Sequence, residues 1–234
     1  MNTIRIEVIE DASAFAGLRA EWSELLASSR ADSLFLTWEW LHTWWSHLGE
    51  GRRLFIVTVR RGSKLIAIAP LTLNRGSIPV RKLEFLGTGS VGSDYLDFIV
   101  HGDHEAAAVE ALTEFLADAG FSLRLPSVKE DSIVASAIAA GLSDRGWRAR
   151  KVPMQVCPFI KLTGLSWDAY LSSRGSSHRY NFRRRLRNLE KSHSVRFERA
   201  ESNADCRAAL QHVVDLHLRR WNARGGSDGF HEER

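Results

Sequence analysis

From Ile4 to Ile9 apolar and charged residues alternate with the period of a half-buried strand, and Asp11 then stands where a helix N-cap belongs. Phe15, Leu18, Trp22, Leu25 and Leu26 follow at helical spacing, so the chain opens as strand then helix. Thr37 predicts a second cap, ahead of a face made by Trp38, Leu41, Trp44, Trp45 and Leu48 and a stop at Gly49. Four of the eight tryptophans lie in this one helix. Such a stripe is most simply a core face; the other reading is a wall lining a ligand, with Trp38 and Trp40 as the substrate-contacting candidates.

Leu54 to Val59 and Leu65 to Leu73 are rich in Ile, Val and Leu, and the short link Arg60-Arg61-Gly62-Ser63 predicts an antiparallel hairpin. Pro70 has no N–H for a ladder, so a bulge, a splay or an edge is expected there. Lys82 to Leu86 and Tyr95 to Val100 read as further strands around a glycine-rich loop, Glu105 to Ala119 as a helix, and Phe121 to Leu125 as a short strand. Ser132 to Gly146 reads as another helix and Arg148 to Val156 as a strand, which completes an α/β unit with a largely antiparallel sheet. Beyond Pro153 the pattern predicts strand Phe159 to Leu162, helix Trp167 to Leu171, a basic helix from Ser176 to Lys191, strand Val195 to Arg199 and helix Asp205 to Asn222. This order repeats the opening of the first unit, and with 82 residues from Pro153 onward the second unit is expected to be incomplete.

Composition agrees with a globular chain: 44% of the 234 residues are hydrophobic and 26% charged, which excludes disorder and collagen. The net charge of +4 is unevenly placed, because Arg174 to Arg199 holds nine basic residues and two acids. That segment alone carries +7, which marks an anionic partner. Arg179, Arg183 and Arg187 recur at i, i+4 and i+8 and put three guanidiniums on one helical face, suited to phosphates or carboxylates. A solvated basic face is the duller reading, and nucleic acid is the sharper but less favoured one, with Tyr180 or Phe182 as base-stacking candidates.

Gly87-Thr88-Gly89-Ser90-Val91-Gly92 matches G-x-G-x-x-G, but residues 93–100 alternate like a strand where a dinucleotide site needs a helix. On that strand Asp97 shares a face with Tyr95 and Ile99, an acid on a mostly apolar element. A carboxylate so placed needs a partner or a raised pKa, and Asp97 is therefore a candidate for a general base. The duller reading is a turn cap at Asp94 and an arginine partner for Asp97. His101 with His104, and His212 with His217, have no further ligand at metal spacing, so no metal is expected. Cys157 and Cys206 are far apart and outside any ligand motif, and the N-terminus has no apolar signal core, so a reducing, cytoplasmic location and no membrane span are expected.

Several segments in order carry a resemblance: Phe35-Leu36-Thr37-Trp38-Glu39-Trp40 with Trp44, Ile66-Ala67-Ile68-Ala69-Pro70-Leu71, Leu83-Glu84-Phe85-Leu86-Gly87-Thr88-Gly89, and Ser93-Asp94-Tyr95-Leu96-Asp97-Phe98. Together with the basic helix Tyr180 to Leu189, Leu216-His217 and Arg220-Trp221, the chain resembles the CelD-type acetyltransferases of the GNAT superfamily. These are similar to the FemABX aminoacyltransferases in having two GNAT-like units in tandem.

The resemblance implies a GNAT-like fold at 1–152 and the beginning of a second GNAT-like unit at 153–234. It implies transfer of an acyl group from acetyl-CoA or another acyl-CoA to an amine or hydroxyl, on a small molecule or on a glycan or peptide precursor of the envelope. In that chemistry Asp94 or Asp97 is the base, Tyr95 the proton donor, and Arg179, Arg183 and Arg187 the anchors for an anionic group. The superfamily's Q/R-x-x-G-x-G/A pyrophosphate loop is not found in the sequence. The alternatives are a binding module for anions or nucleic acid, and a truncated, inactive relative.

Overall fold

The computed structural model describes residues 3–31, 33–74, 81–89, 93–154 and 156–226. Their backbone divides into two compact units, Met1–Cys157 and Pro158–Arg234.

In the first unit, strand β1 (Ile4–Ile9) leads to helix α1 (Ala12–Gly17), whose cap Asp11 accepts from the Ala14 N–H. The single predicted helix is broken at Leu18 and resumes as α2 (Arg19–Ala27). A 3-10 turn at Leu34–Leu36 precedes α3 (Trp38–Leu48), which Thr37 caps as predicted. The hairpin is β2 (Arg52–Arg61) and β3 (Lys64–Asn74), turning at Gly62 with a φ of 62°. Then come β4 (Lys82–Phe85), β5 (Ile99–Val100), α4 (Glu105–Asp118), β6 (Ser122–Arg124) and α5 (Ile133–Asp144).

The sheet runs β1-β2-β3-β4-β6, with β5 also on β3. Its pairs are antiparallel except β4 with β6, so the predicted mixed, largely antiparallel α/β architecture is what forms. Leu54 to Val59 and Leu65 to Leu73 are buried at every position, the signature of strands covered on both faces. Trp22, Phe15, Phe85, Phe98, Ile56 and Ile68 are among the side chains closed to solvent, each stabilising by about 1.5–3 kcal/mol.

Pro70 sits inside β3, opposite Ile56. Its carbonyl accepts from the Leu86 N–H at 2.8 Å, so its nitrogen faces the same edge. Along that edge β3 pairs with β5 at Ala67 and Ile68 and with β4 from Leu71 onward. The missing N–H thus falls where β3 changes partner, which is the expected splay; the bulge lies elsewhere, between Val59 and Arg60.

Four predicted strands are corrected. Tyr95 to Val100 is ladder only at Ile99–Val100, because Tyr95 has a φ of 56°, incompatible with a strand. Arg148 to Val156, Phe159 to Leu162 and Val195 to Arg199 form no strand among the described residues. Among the described residues they have no neighbour to complete a ladder, and alternation without a partner leaves apolar side chains in water: Val156 is 90% and Phe197 87% exposed.

The second unit contains α6 (Trp167–Ser172), α7 (Ser176–Ser192) and α8 (Asn203–Asn222). Helix α8 starts with a full capping box between Ser202 and Asp205. Among the described residues of this unit, Leu171 alone is a buried apolar side chain.

Candidate functional site

The Thr37 hydroxyl accepts from the Trp40 N–H and starts α3, and the Trp22 indole donates to the Leu36 carbonyl at 2.8 Å, which fixes the approach to that helix. Gly87 and Ser93 both approach α3. Gly87, at a φ of 98°, lies so close that a Cβ there would stand 2.9 Å from both Leu41 Cδ2 and Ser93 Oγ. Trp40 Nε1 then donates to the Ser93 hydroxyl at 2.9 Å, so the tryptophan helix holds the backbone immediately before Asp94. Residues 90–92 of the G-x-G-x-x-G run lie outside the described residues; residues 93–100, where a dinucleotide site needs a helix, are not helical, as expected.

Tyr95 and Ser127, with φ of 56° and 61°, are the non-glycine residues of the described chain in the left-handed region. They belong to one arrangement, because the Leu96 N–H between Tyr95 and Asp97 donates to the Ser127 carbonyl at 3.0 Å. Each costs about 1–3 kcal/mol, and such strain persists where the surroundings over-determine it. Lys129 completes the group, its ammonium 4.9 Å from the Tyr95 ring centroid.

Both Asp97 oxygens are engaged. Oδ1 accepts from the Phe98 N–H at 2.8 Å, and Oδ2 accepts from the Ser132 hydroxyl at 2.5 Å. Ser132 Oγ in turn accepts from the Ala135 N–H and caps α5. Burial pushes the Asp97 carboxyl above its ordinary range, and the bonds from Ser132 and Phe98 and the charge of Lys129 draw it partly back. Asp94 is half-buried, with no ion pair among the described residues. The arrangement thus offers one carboxylate locked into the scaffold, one unpaired carboxylate, a phenol and an ammonium.

The structure brings Trp40, Asp94, Tyr95 and Asp97 into one segment-and-helix arrangement. Trp38 is not part of it: its indole donates to the Phe15 carbonyl at 3.0 Å, its ring stacks on His42, and Arg19 lies over it. Arg179 is tied down by the Ser172 and Arg174 carbonyls at the end of α6. Arg183 and Arg187 are exposed on α7, without an ion-pair partner among the described residues. Ser127, Lys129 and Ser132 are additions to the predicted set. Ser132 was legible as a helix start, but its bond to a carboxylate 35 positions earlier left no local signal. No group of three or more His, Cys, Asp or Glu is placed to hold a metal among the described residues.

Against this geometry, residues 176–234 match the family model described as Acetyltransferase (GNAT) domain. The match spans about a quarter of the chain and begins with α7. Among solved structures, the chain is similar to the crystal structure of ribosomal-protein-alanine N-acetyltransferase from Brucella melitensis biovar Abortus 2308. The identity is 19% and the TM-score 0.36, over 67% of this chain and 100% of that one. No curated protein matches the chain.

Proposed function

We propose that the chain is an acyltransferase of the GNAT type, moving an acetyl or other acyl group from acyl-CoA to an amine or hydroxyl. The observation that carries this reading is the acetyltransferase (GNAT) domain match over residues 176–234. We read residues 1–152 and 153–234 as two GNAT-like units of the CelD type, the acceptor as a small molecule or a glycan or peptide precursor of the envelope, and the setting as cytoplasmic. The exposed free thiols Cys157 and Cys206 suit a reducing compartment, and no described helix is long and apolar enough to cross a membrane.

In the transfer, the acceptor nitrogen or oxygen attacks the thioester carbonyl, its proton passes to a base, the C–S bond breaks and the CoA thiolate takes a proton. Asp94 is the base in this reading, since its carboxylate has no ion-pair partner among the described residues, and Tyr95 supplies the proton. Asp97 is a positioning residue, because both its oxygens are occupied in holding Phe98 and the α5 cap. Arg183 and Arg187 are the anchors for an anionic group on donor or acceptor.

Calorimetric titration of the chain with acetyl-CoA, followed by thiol release with a panel of amine and hydroxyl acceptors, tests the reading. Saturable binding is expected, with Asp94→Asn binding normally but losing about 10²–10⁴-fold in turnover. Full turnover by a folded Asp94→Asn variant refutes the base, and failure of acetyl-CoA and free CoA to bind refutes the transferase.

A further inference from the structure

Helix α7 is amphipathic, yet none of its residues is buried. Phe182, Leu186 and Leu189 recur at i, i+4 and i+7 and form one stripe, and the helix also carries five arginines, Lys191 and a single acid, Glu190. Phe182 is 38% and Leu189 46% exposed, so the stripe faces water. Arg183, Arg185 and Arg187 make no ion pair among the described residues.

The stripe continues beyond the helix. Phe182 meets Trp167 edge-on, with ring centroids 5.2 Å apart, and the two rings open onto a groove of about 510 Å³ walled also by Ile160, Leu162 and Leu165. Trp167 is 56% and Leu162 71% exposed, so this wall is as wet as the helix stripe. Two cations border the apolar face. The Arg174 guanidinium lines the groove, 4.7 Å from the Tyr170 ring centroid, and Arg185 lies beside Leu186 and Leu189 on α7.

We infer that this face is a docking surface for an anionic lipid bilayer, with the stripe, Trp167 and the groove wall at the acyl boundary and the arginines among the headgroup phosphates. Charge complementarity selects the occupant. The segment Arg174 to Arg199 holds nine basic residues and two acids, so a neutral apolar partner would leave its arginines without counter-ions. A nucleic acid would supply the counter-ions but leave Leu162, Leu165, Leu186 and Leu189 in water, because aliphatic side chains offer no ring on which a base can stack. An anionic bilayer meets both needs and demands no matched outline. Arginine stems run along apolar surface while their heads stay with the phosphates, and an indole suits the same boundary. Helix α7, charged along most of its length, lies in the headgroup plane. Arg174, Phe182, Arg185 and Leu189 have no role in the acyl transfer, so this surface stands or falls independently of it.

The test is co-sedimentation of the intact chain with vesicles of phosphatidylcholine alone and of phosphatidylcholine mixed with phosphatidylglycerol. Binding to the anionic vesicles is expected, weakening with salt, with little on the neutral ones and a blue shift of indole emission that is smaller in Trp167→Phe. Arg174→Gln with Arg185→Gln should weaken partitioning about twentyfold, from about fivefold for each arginine near a charged membrane. Phe182→Gln with Leu189→Gln, checked for unchanged helicity by circular dichroism, should weaken it about tenfold or more while leaving retention on a soluble polyanion as in wild type. Absence of binding to the anionic vesicles, equal binding to both kinds, or full binding by either double variant overturns the surface.

Discussion

Replacing Asp97 separates a scaffold role from a chemical one. In Asp97→Ala the Phe98 N–H and the Ser132 hydroxyl lose their acceptor. Bonds to a charged group contribute about 1.5–3 kcal/mol each, and the loosened Ser132 cap adds about 1 kcal/mol. Against this stands the desolvation that raises the Asp97 pKa, which the substitution relieves. The net loss is about 2 kcal/mol, concentrated in α5. Asp97→Asn keeps an accepting oxygen and should lose about half as much.

The pH dependence carries the sign. Because burial raises the folded-state pKa above the ordinary 3.8, the folded chain holds the Asp97 proton more tightly than the unfolded chain does. This group's contribution is therefore fully present below the unfolded pKa and is lost as pH rises through the folded one. Asparagine does not titrate, so the stability of wild type minus Asp97→Asn should fall across that window and then level. Urea unfolding from acid to neutral pH, with hydrogen exchange at Phe98 and Ala135, measures it. A difference that grows with pH, or an Asp97→Ala chain as stable as wild type with unchanged exchange at both amides, refutes the argument.

Gly87→Ala places a Cβ 2.9 Å from Leu41 Cδ2 and Ser93 Oγ at a φ of 98°, and should lower stability by about 2 kcal/mol or more in denaturant unfolding. Gly120→Ala, at a φ of 68° with nothing within 4 Å, carries strain alone and should cost about 1 kcal/mol; equal losses would show that packing on α3 does not matter. Arg60→Met removes both bonds to Glu21, at 2.5 and 3.1 Å, for a loss of at most about 1 kcal/mol at neutral pH because Glu21 is half exposed. Arg60 holds the Glu21 pKa below 4.5, so that loss is present above 4.5 and vanishes as pH falls through the lowered value; a loss independent of pH contradicts the pairing. Arg183→Glu with Arg187→Glu should leave unfolding within about 0.5 kcal/mol and sharply reduce salt-sensitive retention on a polyanion column, and unchanged retention removes α7 as an anion anchor.

What the sequence disclosed and what it hid follow from the range of the forces involved. Caps and amphipathic faces act within one turn of chain, so Asp11, Thr37, Ser132 and the Trp38, Trp44 stripe were legible, and the hairpin of β2 and β3 was legible from its short link. Pro70 was readable as a defect but not as the partner change of β3, because that depends on two strands, β4 and β5, that arrive later in the chain. The same limit made residues 95–98 look like a strand. Alternation reports which side chains are buried, and Leu96 and Phe98 are, but Tyr95 is turned left-handed by a bond between Leu96 and Ser127 that no local pattern encodes. The site was therefore visible as residue types at Asp94, Tyr95 and Asp97 and invisible as roles. Only the 35-residue link from Asp97 to Ser132 separates the carboxylate that holds the scaffold from the one left unpaired. In the second unit the strand pattern of Phe159 to Leu162 and Val195 to Arg199 is present, yet a strand's hydrogen bonds come from its neighbours, and among the described residues of that unit there is no ladder for them to join.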